Sequence, residues 1–317
     1  MKIAFLYEHP NWSNQLIQCF KENGIELKLL NIDELAFDTG QLDVDFDLLI
    51  NRVNIMPYEQ HDSAVVFHTL HFLNWLELTN VQVVNGARAH YTGSSKAVQN
   101  GIFAKLGLYF PQAIAIYKVA DALTAAEKIG YPLIVKPNIG GSGRGVVKYN
   151  NSDELQRDIT NHVLKLGVDR SGLVQEYIES DGYIYRVEIL GDQLFYAIKQ
   201  KIIADQFNYC AADGCHVPEV HPEQECEFDF CTTDPTAHIE LFVPTDDTVA
   251  QVVSIIHEAK ADVGGVEFLL SQKTDYPCFY DFNPYSNFVS HGERLLGFSP
   301  EQRYVDFIKA KIGKIRY

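Results

Sequence analysis

The chain reads as a mixed α/β protein, with a small parallel α/β unit at its amino end and a longer region of strands and helices behind it. Two observations predict this. In the first ~95 residues short apolar runs alternate with stretches of helical spacing, the pattern of a parallel sheet. Beyond them, "LIVKPNIGGSGRGVVKY" (Leu133 to Tyr149) runs from one strand through a glycine-rich loop straight into another, which makes a hairpin.

Taken in order, "KIAFLYE" is a strand, "NQLIQCFKENG" a helix, and "IELKLLNI" and "FDLLINRV" two more strands. "SAVVFHTLHFLNWLEL" has apolar residues at helical spacing, and "VQVVNG" closes the unit as a strand. His68 and His71 lie one turn apart on that helix but have no third ligand in view, so they read as packing or surface residues. "TGSSKAVQNGIFAKLG" predicts a helix with Thr92 or Ser94 as its N-cap. The strand "PQAIAIY", the helix "ADALTAAEKIG", the hairpin, the helix "SDELQRDITNHVLKLG" and the strand "GLVQEYI" follow. From "YRVEILGDQLFYAIKQKI" to "CFYDFNPYSNF" strands alternate with a helix near "DDTVAQVVSIIHEAKA". A polar stretch from Ala204 to Ile239 has little periodicity, and loops of such length are usually functional or disordered.

With 317 residues and 46% hydrophobic content, the chain can bury a substantial core. The net charge of −16 would repel a phosphate backbone, so no nucleic-acid partner is expected. No apolar run approaches a membrane span and the amino end is polar too soon for a signal peptide, so the expectation is a cytoplasmic protein without a membrane partner. Four of the six cysteines, Cys210, Cys215, Cys226 and Cys231, stand as C-x4-C-x10-C-x4-C. Zinc prefers shorter knuckles, so a zinc loop, with His216 and His221 as alternative ligands, stands beside free packed thiols and reversible disulfides.

The hairpin carries the first chemistry. Gly140 and Gly145 have P-loop spacing, but Val146 and Val147 stand where its lysine and hydroxyl belong, and a G-x-G-x-x-G fingerprint from Gly141 would need a glycine at 146. Glycines at 140, 141, 143 and 145 nevertheless let backbone amides approach a polyanion, with Lys136 supplying a fixed charge; the alternative is a flexible tip beside an incidental lysine. Near the carboxyl end, Asp281 and Asn283 point to one face of a strand, and a neighbouring strand could add Glu267. Such hard oxygen ligands suit magnesium on nucleotide phosphates, and a structural hydrogen-bond cluster is the competing account.

In chain order stand Lys96 in "GSSKAV", Lys136 ahead of "GGSGRG", the stretch "VQEYI", Arg186 in "YRVEILGD", Glu267 in "GGVEF" and Asp281 with Asn283 in "DFNP". Jointly they resemble the successive motifs of the ATP-grasp superfamily, most nearly ribosomal-protein glutamate ligases of the RimK type and more distantly D-alanine–D-alanine ligase. The resemblance implies an α+β ATP-grasp fold behind a parallel α/β domain, with units at 1–95, 96–178 and 179–317. Its implied activity is ATP-dependent joining of a carboxylate to an amine through an acyl phosphate, on an amino acid or peptide. Ester, thioester or phosphoryl transfer and a non-catalytic nucleotide-binding role are the alternatives.

The same resemblance assigns Lys96 and Lys136 to the phosphates and Gly140, Gly141, Ser142 and Gly143 to the lid. Gln175, Glu176, Tyr177 and Ile178 fall to the adenine hinge, and Glu267, Asp281 and Asn283 to magnesium, with manganese as the alternative ion. Arg186, with Lys199 or Lys201, falls near the transferred phosphoryl. Glu267 and Asp281 exchange the family's usual carboxylate lengths. Tyr185 replaces a usual acidic residue, leaving ribose to Glu179 or Asp181. "PYSNF" lacks the usual glycine-containing acceptor loop, so glutamate specificity does not carry over. The long loop, through Asn208 or Asp213, is expected in the substrate pocket, and a homo-oligomer is left open.

Overall fold

The computed structural model describes residues 1–9, 11–55, 64–141, 143–202, 239–285, 288–289 and 292–315. In the first unit β1 (Ile3–Tyr7), α1 (Asn14–Glu22), β2 (Leu27–Asn31), β3 (Leu48–Asn51), α2 (Val65–Leu76) and β4 (Gln82–Val84) form a parallel sheet in the order β2-β1-β3-β4. Its central strands are apolar on both faces because helices cover both: Ala4, Leu6 and Leu49 pack with Phe72 and Leu73, while Phe5, Leu48 and Ile50 pack with Leu16 and Phe20. Glu8, just beyond β1, is 2% exposed, and burial pushes its carboxyl up to about 8. It is therefore largely neutral at pH 7, which lessens the cost of burying it.

Two helices, α3 (Ala87–Ser94) and α4 (Lys96–Lys105), lead out of this unit. Thr92 and Ser94 belong to α3, and the cap of α4 is Ser95, whose hydroxyl accepts from the Val98 amide. The expected cap thus moves one or more residues along, because "ARAHYTGS" is itself helical.

The second sheet is antiparallel, in the order β5-β8-β6-β7, from β5 (Ala113–Ile116), β6 (Leu133–Pro137), β7 (Val147–Tyr149) and β8 (Gly172–Glu176). The helices α5 (Asp121–Ile129) and α6 (Ser152–Thr160) belong to the same unit. The predicted helix through Gly167 stops at Thr160, since His162 adopts a left-handed φ of 58°. The glycine hairpin joins β6 to β7, as expected.

The third sheet is also antiparallel, in the order β11-β10-β9-β12-β13, from β9 (Ser180–Leu190), β10 (Gln193–Lys201), β11 (Ile239–Leu241), β12 (Val263–Ser271) and β13 (Pro277–Asn283). Against one face packs α7 (Asp246–Glu258), with Val252, Ile255 and Ile256 meeting Val187, Val266 and Phe268. After a short α8 (Gly292–Leu296), the long α9 (Pro300–Ile315) returns to the first unit, where Tyr304, Val305 and Ile308 join Phe20 and Phe5. Among the described residues no helix is long and apolar enough to cross a membrane.

Candidate active site

Strand alternation builds the site. On β9, β12 and β13, Tyr185, Val187, Val266, Phe268 and Phe282 face the helices and form the core, so residues of opposite parity face the other way. Register then places Arg186, Glu267 and Asp281 opposite one another in a row, and Glu188, Gly265 and Asn283 in the next. The expected grouping of Glu267 with Asp281 and Asn283 is therefore present across a strand pair. A bulge follows directly, leaving Tyr280 as the extra residue, and its hydroxyl donates to Glu267 Oε2 at 2.7 Å.

Lys96, the first residue of α4, crosses to this row with its Nζ 2.7 Å from Asp281 Oδ1. Two amide side chains, the buried Gln99 and the half-buried Asn138, fix the geometry. Gln99, one turn on, accepts from the Phe282 amide at 3.2 Å and donates to the Phe282 carbonyl at 3.0 Å, gripping β13 between Asp281 and Asn283. Asn138, just past β6, takes the Lys96 amide on its carbonyl and the Ala97 amide on its side chain, at 3.2 and 3.0 Å. Asn138 thereby ties the start of α4 to the strand that carries Lys136.

The charges are uneven. Lys136 is 4% exposed, and burial, then repulsion from Lys96, pulls its ammonium down to about 7, Asp281 offsetting part of the effect. Burial and then the like charge of Asp281 raise the Glu267 carboxyl above its ordinary value, with Arg186, Tyr280 and Lys96 opposing. Burial alone would weaken the Arg186 cation, but Glu188, Tyr196 and Glu267 hold it above the ordinary guanidinium range. The site thus sets cations and anions side by side, several of them already paired with one another.

The hairpin tip bends through Gly143 and Gly145 at φ of 69° and 70°, a conformation that side chains rarely take, and Ser142 lies outside the described residues. Gly140 and Gly141 precede the bend. At the hinge, the Glu176 and Tyr177 amides are held by the Gln112 and Pro132 carbonyls at 2.9 and 3.3 Å. Gln175 and Ile178 are buried, and Gln175 Oε1 has no hydrogen-bond partner among the described residues.

Some expected residues are not brought together. Lys199 pairs in register with Tyr185, so it lies on the helix-facing side, bonded to Glu240 at 3.0 Å and set over the Tyr183 ring. Lys201 has the same parity. Tyr185 donates its hydroxyl to Asp181 at 2.6 Å, and both ribose candidates, Glu179 and Asp181, are exposed. Cys210, Cys215, Cys226, Cys231, His216, His221, Asn208 and Asp213 lie outside the described residues. Three residues with clear positions were not singled out in the sequence: Gln99, Asn138 and Glu188. Only Glu188 carried a local signal, sharing the parity of Arg186 two residues away.

The fit of magnesium rests on the donors. Among the described residues no three His, Cys, Asp or Glu side chains form an ion-holding group. Two opposed carboxylates with the Asn283 amide oxygen fit a small hard cation whose remaining ligands are phosphates and water. The Asn283 Oδ1 is already anchored by the Tyr285 amide at 2.9 Å.

The chain is similar to several known proteins. Residues 96–194 match the carbamoyl-phosphate synthase L chain, ATP binding domain. The chain is 22% identical over 322 residues to the glutamate–LysW ligase ArgX of Sulfurisphaera tokodaii, covering 99% of this chain and 100% of that protein. Among solved structures it resembles a RimK domain ATP-grasp protein from Sphaerobacter thermophilus, with a TM-score of 0.69 and 17% identity over 97% of this chain and 99% of the other. It also resembles the ATP-grasp ligase PsnB in complex with a phosphomimetic variant of its minimal precursor, Mg and ADP, with a TM-score of 0.64 and 15% identity over 98% and 99%. The likeness runs the length of the chain, so the chain has the fold of ATP-grasp proteins, a RimK domain protein among them, and carries within it a match to an ATP-binding domain.

Proposed function

We propose that the protein is an ATP-dependent ligase that joins a carboxylate of an amino acid or peptide to an amine. The row Arg186, Glu267, Asp281, with Lys96 and Lys136 brought to it by α4 and β6, carries this reading. A carboxylate resists an amine because its oxide leaves poorly. In the reaction a carboxylate oxygen attacks the γ-phosphorus, the bond to ADP breaks, and the resulting acyl phosphate loses phosphate when an amine nitrogen attacks its carbon.

The side chains serve this course by position. Lys136 and Lys96 hold the phosphates, and the hairpin from Gly140 to Gly145 covers them and excludes water. Gln175 to Ile178 hold the adenine edge, the Ile178 amide being the one the hinge bonding leaves for it among the described residues. Arg186 faces the reacting carboxylate and steadies the oxyanion formed on amine attack, a contribution of roughly 3–4 kcal/mol in comparable sites. Magnesium, or manganese in its place, would be held by Glu267, Asp281 and Asn283 and would supply charge neutralisation on the phosphates. Lys199, set on the other face, has no role in this account.

The test is ADP release across a panel of amino acids and peptides, offered singly and in pairs, with hydroxylamine added to trap an acyl phosphate as hydroxamate. ADP release that needs both a carboxylate and an amine, with hydroxamate formed when hydroxylamine replaces the amine, supports the ligase. Release only with hydroxyl or thiol acceptors assigns an ester or thioester reaction instead, and ATP binding without ADP release under any of these conditions leaves the non-catalytic nucleotide-binding role.

A further inference from the structure

Arg186 has two carboxylates beside it. Glu188 is two residues along its own strand, and Glu267 stands opposite on β12. Both Nε and Nη2 of Arg186 lie 2.5 Å from the same oxygen, Glu188 Oε1. Glu188 is 1% exposed, so this ion pair forms away from solvent, where breaking it would leave a buried charge.

Room for the pair comes from another strand. Gly265 stands opposite Glu188 on one side and Asn283 on the other. A Cβ at that position would come within 2.7 Å of Glu188 Cδ, so any side chain there would drive the carboxylate off Arg186. The glycine is thus required for the position of Glu188.

We infer that Glu188 is a positioning residue that holds Arg186 back from Glu267 and so keeps the Glu267 carboxylate available to a divalent cation. This inference rests on the ligase reading for the identity of the cation site. Its physical content is a competition: a guanidinium fork prefers a carboxylate it can reach with two N–H groups, and besides Glu188 the carboxylate that stands opposite Arg186 among the described residues is Glu267. The ion would then have to displace a salt bridge.

Direct binding of Mn²⁺, followed by electron paramagnetic resonance with ADP present, tests the inference without turnover. Glu188→Gln should weaken Mn²⁺ binding at least about tenfold, and Gly265→Ala should do the same from a different strand. Adding Arg186→Met to Glu188→Gln should restore binding toward the wild-type value, because no guanidinium remains to occupy Glu267. A merely structural role for Glu188 predicts no such rescue. Wild-type binding retained in both single variants, or a loss that Arg186→Met does not relieve, overturns the proposal. If one single variant does not fold, the other with its Arg186→Met partner still decides. Absence of Mn²⁺ binding by the wild-type protein would instead count against the ligase reading itself.

Discussion

Lys96 Nζ and Asp281 Oδ1 meet at 2.7 Å, so a residue proposed for phosphate binding is bonded to a residue proposed for the metal. On the proposed reading the pair competes with both ligands, Asp281 with phosphate for Lys96 and Lys96 with the cation for Asp281. Lys96→Met should weaken ATP binding by roughly tenfold to a hundredfold, the range for a charged hydrogen bond of about 1.5–3 kcal/mol. The same variant should bind Mn²⁺ more tightly without nucleotide, since Asp281 is released. Calorimetric titration with each ligand separately checks both signs, and unchanged Mn²⁺ affinity would show that the two do not compete.

Lys136 makes ATP affinity depend on pH. Burial, then repulsion from Lys96, pulls its ammonium down to about 7, and phosphate oxygens beside it would raise that value. Binding therefore takes up a proton above pH 7, and the ATP dissociation constant should rise up to tenfold per pH step there, then level once the bound-state value is passed. Lys136→Met should show weak binding with that slope removed and should melt at or above the wild-type temperature at pH 7, since burying the ammonium costs stability there. A wild-type profile flat from pH 6 to 9 would be incompatible with this assignment.

Glu267 trades stability for chemistry. Its carboxyl is raised by burial and by Asp281, so the fold prefers it protonated. The sign follows: its stabilising effect is complete below its unfolded value and is lost as pH rises through the folded one. Without divalent ions, Glu267→Gln should lack that decline and melt at or above the wild-type temperature at pH 8, while ADP release falls by roughly two orders of magnitude or more. Melting curves across pH and a turnover assay on one preparation read both effects.

How much of this was legible along the chain depended on distance. Period-two alternation in "FYDFNP" places Asp281 and Asn283 on one face without reference to anything remote, and the glycine hairpin is equally local. Lys199 sits beside Arg186 in the sheet and looks like a partner in sequence. Its pairing with Tyr185 rather than Arg186 sends it to the other face, and that parity is set by the turn between β9 and β10 and a bulge near Leu194. Gln99 and Asn138 act through contacts 183 and 41 residues away, which no local pattern encodes. The return of α9 to α1 is likewise a matter of packing and not of chain order.

Gly93 seats the metal strand. It lies in the last turn of α3, and a Cβ there would approach Pro284 Cδ to 2.6 Å and Ile55 Cδ1 to 3.2 Å. Two effects oppose each other in Gly93→Ala. Helix propensity favours alanine by up to about 1 kcal/mol, whereas overpacking of a tight contact costs roughly 1–3 kcal/mol. The proline ring cannot rotate aside, and it follows Asn283 directly in the chain, so overpacking should win and its strain should reach the Asn283 side chain. We expect a melting temperature lowered by several degrees together with a raised magnesium requirement for ADP release. Gly101→Ala is the control: nothing lies within 4 Å of a Cβ there, so the propensity gain stands alone and stability should rise slightly without change in magnesium dependence. If Gly93→Ala stabilised the protein as Gly101→Ala does, the contact between α3 and Pro284 would have no part in holding the metal strand in place.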